Sequence, residues 1–139
     1  MTDVKEILPE LLGRLFGRLR SEVAGLLGPG LRFSHVRVLD AVPAEGASVT
    51  ALAERLGMTK QGCGQFVTQL ETAGLVRRDA EPGDRRVRRV RLTPEGERLL
   101  GRARDAMARA EETFAAEVGP RRYAGFRRVL DELGRDARA

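Results

Sequence analysis

The sequence predicts a mainly α-helical chain with one small β-hairpin. Apolar residues recur at three- and four-residue steps through most of the 139 positions. Two short helical stretches meet at a tight turn around Gly57, and two strand-like runs flank Pro82-Gly83. A content of 42% hydrophobic and 32% charged residues fits a globular chain, neither disordered nor membrane-embedded. The length fits a single domain, 1–139.

The first helix is expected between Val4 and Leu27, where Ile7, Leu8, Leu11, Leu12, Leu15, Phe16, Leu19, Val23, Leu26 and Leu27 build one apolar face. Gly28-Pro29-Gly30 stops it. Ser34 is the expected cap of a second helix with Val36, Leu39 and Val42 inward, closed by Pro43 and Gly46. Ser48 or Thr50 opens a third helix ending at Gly57, and Thr59 caps a fourth that runs to about Ala73 before Gly74. Strands follow at 75–78 and 87–92, with turn chemistry between them. Thr93-Pro94-Glu95 starts a fifth helix, with Leu99, Leu100, Ala103, Ala106, Met107, Ala110 and Phe114 in its stripe. Gly119-Pro120 breaks it, and a sixth helix runs from about Arg121 to Arg135.

A pair of helices around a tight turn followed directly by a hairpin outlines a winged helix-turn-helix lobe, expected at 32–92. The terminal helices, 4–27 and 93–137, have more apolar face than one lobe can cover. Leu8, Leu11, Leu12 and Leu15, with Phe126 and Leu130, are therefore expected to bury against a second copy. The alternative is that the terminal helices fold back on their own lobe.

Charge narrows the partner. The net charge is +5, and nearly all of the cations are Arg, with Lys5 and Lys60 the only lysines. Residues 77–91 hold seven Arg and three acids, a net +4, so the hairpin carries most of the excess. Such a patch suits a polyanion. One Cys excludes an internal disulfide, and one Cys with one His cannot assemble a His/Cys zinc site. No nucleophile motif accompanies His35, and no phosphate-binding glycine motif is present. No catalytic residue, metal or cofactor is therefore assigned. With no apolar run near ~18 residues and no signal-peptide layout in the first ten residues, a cytoplasmic protein without a membrane partner is expected.

Particular strings sharpen the outline. Leu52-Ala53-Glu54-Arg55-Leu56-Gly57-Met58-Thr59-Lys60-Gln61, Leu70-Glu71, Gly74-Leu75-Val76-Arg77, Asp84-Arg85-Arg86 and Leu92-Thr93-Pro94-Glu95-Gly96 resemble the multiple-antibiotic-resistance regulator (MarR) family of bacterial winged-helix regulators. The resemblance spans essentially the whole chain. It implies a homodimer with intertwined terminal helices, two winged lobes on a palindromic double-stranded DNA operator, and repression relieved by a small-molecule effector or an oxidant. It also implies an effector cleft for which Phe16, Phe33 and His35 are the candidate walls.

On a helix from Thr59 to Ala73, Cys63, Phe66, Val67 and Leu70 share one face, which is expected to be buried. Gln61, Gly64, Gln65, Thr68 and Thr72 lie opposite. Gln61 and Gln65 each offer a donor and an acceptor, the pattern that matches adenine in the major groove. Thr59 and Lys60 lie nearer the phosphates. Gly62 and Gly64 weaken the helix by up to ~1 kcal/mol each relative to Ala. Either they admit a close approach to DNA, or the helix orders fully only when bound. In the hairpin, Asp84 is expected to orient a neighbouring Arg while Arg86 or Arg85 enters the minor groove. Arg77, Arg78 and Arg88 are candidates for phosphates.

Cys63 invites a redox role, but its phase makes a packed small hydrophobe the stronger reading. Three other functions compete with this reading. A winged-helix antagonist that binds protein would carry a short or acidic wing, unlike this one. A general basic nucleic-acid-binding protein would lack operator preference. An enzyme would need an assembled site.

Overall fold

The computed structural model describes residues 6–135. Those residues form six helices and one two-stranded antiparallel sheet: α1 (Leu8–Ala24), α2 (Phe33–Ala41), α3 (Val49–Leu56), α4 (Lys60–Thr72), β1 (Val76–Glu81), β2 (Asp84–Leu92), α5 (Pro94–Val118) and α6 (Pro120–Arg135). They divide into two compact units, Val23–Arg104 and the described part of the remainder, 6–22 with 105–135. The expected helix positions at 4 and 5 lie outside the described residues.

The helix boundaries follow local chemistry. α1 begins at Leu8 rather than earlier because Pro9, lacking an amide proton, costs nothing in a first turn, where that donor has no intrahelical partner. It ends at Ala24, three residues before the expected stop, in tight turns from Leu26 N–H to Val23 and from Leu27 N–H to Ala24. α2 starts one residue before the expected Ser34 cap. Its cap is Arg32, whose N–H donates to His35 Nδ1 at 3.0 Å, so a ring nitrogen replaces the hydroxyl as the satisfying group. Ser48 Oγ accepts from Ala51 N–H at 3.1 Å and opens α3; Gly57 closes it at φ +66°. Thr59 Oγ1 accepts from Gly62 N–H at 3.0 Å and opens α4.

Strand pairing runs from Val76↔Leu92 to Ala80↔Arg88 and then breaks, with Glu81 opposite Asp84. The strands are longer than expected, and the turn shrinks to Pro82-Gly83, with Gly83 at φ +93°. The register shifts between Ala80 and Glu81, so that positions 85–87 of β2 have no paired residue on β1. Ala47 adds a single bridge to Val90 through hydrogen bonds of 3.1 and 2.7 Å, tying the segment before α3 to the hairpin.

The core of the first unit is Val36, Val38, Leu39, Leu52, Ala53, Cys63, Val67, Leu70, Val76 and Val90, all close to fully buried. This unit extends past the expected end at 92 into α5, because Leu99, Leu100 and Ala103 are buried with it. Thr93 makes the junction. Its Oγ1 donates to Gly74 O at 2.6 Å and accepts from Gly96 N–H at 3.1 Å. A Cβ on Gly96 would stand 2.0 Å from Leu75 O, so only glycine lets α5 come this close to the start of β1.

The second unit packs Ala106, Ala110 and Phe114 of α5 inward. Arg18 on α1 forks onto Glu117 at 2.9 and 2.5 Å with its guanidinium 4.6 Å from the Phe114 ring, so α1 and α5 are clasped by charge and by a cation–π contact. The shared hydrogen bond raises the Arg18 pKa and holds that of Glu117 below its usual range. Tyr123 on α6 donates its hydroxyl to Glu111 at 2.6 Å, and Arg127 pairs with the same carboxylate at 3.2 Å. Among the described residues no helix is long and apolar enough to cross a membrane.

Candidate nucleic-acid interface

α4 buries Cys63, Val67 and Leu70 against the lobe, which fixes its rotation about its own axis. The opposite side presents Lys60, Gln61, Gln65, Thr68 and Thr72 to solvent. Thr59 is exposed too, with its hydroxyl oxygen occupied by the cap. Gly62 and Gly64 are half-buried, and α4 is continuous through both. Gly62 contributes the capped amide, so a side chain there would crowd Thr59 Oγ1 at 3.0 Å.

His35 braces this helix from behind. It is 2% exposed, and Nδ1 accepts from Arg32 N–H. Nε2 therefore carries the proton and donates to Gln69 Oε1 on α4 at 2.6 Å. Phe66 meets the imidazole edge-on with ring centres 4.9 Å apart, and the Arg32 guanidinium lies 5.4 Å from the Phe66 ring. His35 thus sits in an enclosed ring with both nitrogens occupied. Phe33 stands at the start of α2, half-buried, and Phe16 belongs to α1 in the other unit.

Hairpin arginines fall into sets that strand alternation separates. Arg77 and its cross-strand partner Arg91 converge on Asp79 at 3.1 and 3.3 Å. Arg77 lines a cleft of about 510 Å³ with Arg91, Pro94, Glu97 and Arg104, on the α5 side of the hairpin. Arg78 points to the other side, where Nη2 donates to Thr68 Oγ1 on α4 at 2.9 Å. Arg89 pairs with Glu81 at 2.8 Å. Arg86 extends from the tip with its side chain 92% exposed, while Asp84 Oδ1 accepts its backbone N–H at 3.0 Å and sits 3.4 Å from Nε. Arg88 is exposed and has no acidic partner among the described residues. The sequence strings place Arg85 beside Arg86 at the same tip.

The candidate contact set is thereby sorted. Lys60, Gln61, Gln65, Arg86 and Arg88 offer unburied polar groups from one lobe. Arg77 is turned toward α5, and Thr68 is engaged by Arg78. The Arg78–Thr68 bond and the Ala47 bridge were not anticipated. Alternation did carry a signal for the first: Val76 is buried at the head of β1, so Arg78, two residues on, lies on the same face.

Cys63 is fully buried, and burial pushes its thiol pKa up, the opposite of what an oxidant-sensing thiolate needs. Among the described residues no group of three His, Cys, Asp or Glu side chains could hold a metal ion.

Residues 30–87 match the sequence profile of the MarR family. The HTH-type transcriptional repressor Mb2911 of Mycobacterium bovis is 33% identical over 130 residues, which cover 91% of this chain and 92% of that protein. The chain belongs to the MarR family. A second relative, the putative transcriptional regulatory protein for the hcr operon of Thauera aromatica, is 33% identical over 105 residues; the match covers 76% of this chain but only 61% of that protein. Among solved structures, the crystal structure of MarR itself superposes with a TM-score of 0.82 over 99% of this chain and 95% of its own, at 22% identity, and shows the fold. The repressor CouR bound to a 23-mer DNA duplex matches with a TM-score of 0.76 and 28% identity over 91% of this chain and 89% of CouR. PcaV from Streptomyces coelicolor, in complex with its natural ligand, matches with a TM-score of 0.74 and 25% identity over 99% of both chains. Membership makes this chain a MarR-type transcription regulator and not an enzyme.

Proposed function

We propose that this MarR-family regulator acts in the cytoplasm as a homodimeric repressor of a palindromic operator. α4 enters the major groove, and the Arg86 tip enters the flanking minor groove. The observation that carries the reading is the joint presentation, by one lobe, of Gln61 and Gln65 on an exposed helix face and of a 92%-exposed Arg86 held at its root by Asp84. Glutamine amides read base edges, whereas a guanidinium is drawn to the negative potential of a narrow minor groove. Lys60, Thr59 and Arg88 lie at positions suited to phosphates, which fix register without reading sequence. Arg85 shares the tip, and Gly62 lies in the first turn of α4, where a helix meets base edges. CouR, solved on a DNA duplex, supports this reading by its likeness.

Dimerisation rests on the second unit. Leu8, Leu11, Leu12 and Leu130 are 42–64% exposed, and Leu15 and Phe126 are half-buried beside them. Leu12, Leu15, Phe16, Leu19, Phe126 and Leu130 line one apolar groove. Covering such a face is worth ~25 cal/mol per Å². A small-molecule effector completes the proposal, as the ligand-bound PcaV structure supports.

Selection of bound duplexes from random DNA tests the reading. An inverted repeat with half-site centres ~10 bp apart is expected. Enrichment of no sequence, with equal affinity for all duplexes, would replace operator recognition by general basic binding.

A further inference from the structure

We propose that Arg78 is a positioning residue that locks the wing to the recognition helix through Thr68, so that neither side chain contacts DNA directly. The proposal rests on the DNA-binding reading above and gives Arg78, a phosphate candidate from the sequence, a role inside the lobe instead.

Alternation along β1 places Val76 in the core and Arg78 two residues later on the same face, opposite Val90, which is 1% exposed. An apolar side chain would suit this inner row. Arg occupies it instead, with less than a third of its side chain exposed. Its Nη2 reaches Thr68 Oγ1 at 2.9 Å on α4. Its Nε is fully enclosed and makes no hydrogen bond, with Glu71 Oε1 of the same helix 3.9 Å away. A guanidinium gives up water here for one good hydrogen bond and a nearby carboxylate, both on α4. That placement joins the wing to the helix at one fixed spacing, and it is inefficient as a way of presenting charge to a phosphate.

Thr68 is fixed by the same contact. Its Oγ1 accepts from Arg78, and its backbone carbonyl accepts the Thr72 hydroxyl at 3.0 Å. One of the hydroxyl's two lone pairs is committed to Arg78, so any base edge would meet an oxygen already oriented by the wing. The exposed row of α4 available for reading therefore narrows to Lys60, Gln61 and Gln65.

The consequence is mechanical. Sequence selection needs the wing and α4 to meet their grooves together, whereas non-specific attraction needs only charge. Breaking the strut should cost affinity for the operator and leave attraction to random DNA intact.

Three variants test this: Thr68→Val, which keeps shape and removes the acceptor; Arg78→Met, which keeps the stem; and the double variant. Each is titrated against a duplex selected by the parent protein and against a random duplex, over a range of salt. Both single variants should lose at least about tenfold in operator affinity, the order expected for one hydrogen bond to a charged group. Random-duplex affinity and salt slope should stay at parent values, and the double variant should be no weaker than either single one. A slope reduced by about one phosphate equivalent in Arg78→Met would overturn the proposal, since Arg78 would then be a phosphate contact. Additive losses, a changed base preference in Thr68→Val, or no loss at all would overturn it equally. Amide exchange in the free protein supplies a readout that needs no DNA. Thr68→Val should speed exchange across β1 and β2 relative to the parent, and unchanged wing protection would refute the strut. Failure of the parent itself to bind any duplex would strike the DNA reading, leaving the strut to be judged by exchange alone.

Discussion

Asp84 holds Arg86 at its root and leaves its head in solvent. The carboxylate accepts the Arg86 backbone N–H at 3.0 Å and lies 3.4 Å from Nε, while the Arg86 side chain is 92% exposed. An exposed ion pair of this kind adds little to stability. What it supplies is direction at the tip of a two-residue turn.

Arg86→Ala should therefore weaken binding to every duplex, operator or random, and lower the salt slope by about 0.9. Asp84→Asn should weaken binding less, since the guanidinium remains but loses its orientation. Fluorescence anisotropy across a salt series distinguishes these results, and an unchanged slope in Arg86→Ala would remove the tip from the interface.

Gly96→Ala should destabilise the lobe by about 1–3 kcal/mol, the range for forcing atoms into a packed site. The added methyl would stand 2.0 Å from Leu75 O, and that backbone is fixed by the Leu75 O···Thr93 N–H bond of 3.1 Å. Urea unfolding of both proteins measures the difference. A midpoint equal to the parent's would show that α5 shifts without cost.

Much of the lobe was legible because its decisive contacts are local. Ser48, Thr59 and Thr93 cap helices through bonds three residues long, and Pro82-Gly83 turns the hairpin with the positive φ that glycine tolerates. Cys63 on the buried face of α4 followed from periodicity alone. What was not legible depends on partners distant in sequence. The Arg32–His35–Gln69 chain crosses from α2 to α4, and Ala47 joins Val90 across more than forty residues. The direction taken by each wing arginine depends on acids spread over three elements, so counting seven arginines gave the charge of the hairpin without its division into paired and exposed heads. Asp79 alone absorbs two of them.

Tyr123 gives an alkaline test. Burial and its hydrogen bond to Glu111 push its pKa up to about 12, against about 10 for an unfolded tyrosine. The folded state thus favours the neutral phenol. The associated stability is complete below pH ~10 and is lost as pH rises through about 12. Across that window the parent should lose stability more steeply than Tyr123→Phe, which has no proton to release. Parallel curves from urea melts at pH 9, 10 and 11 would contradict the assignment.

Leu12→Glu should yield a folded monomer. Leu12 is already 42% exposed in the single chain, so a charge there costs little within one copy. Against a second copy, it would place a carboxylate in the apolar groove also lined by Phe126 and Leu130. Light scattering should read about 15 kDa for the variant, against the 15.3 kDa of one chain, and twice that for the parent. A parent mass of one chain would refute dimerisation.

The most direct test of the central claim is a titration of the parent protein into its best selected inverted repeat and into a scrambled duplex, at several salt concentrations. Two lobes acting together predict saturation at two chains per duplex and a preference for the repeat of at least about a thousandfold, with affinity falling steeply as salt rises. One chain per duplex with equal affinity for both sequences, or no binding at low salt, would contradict it.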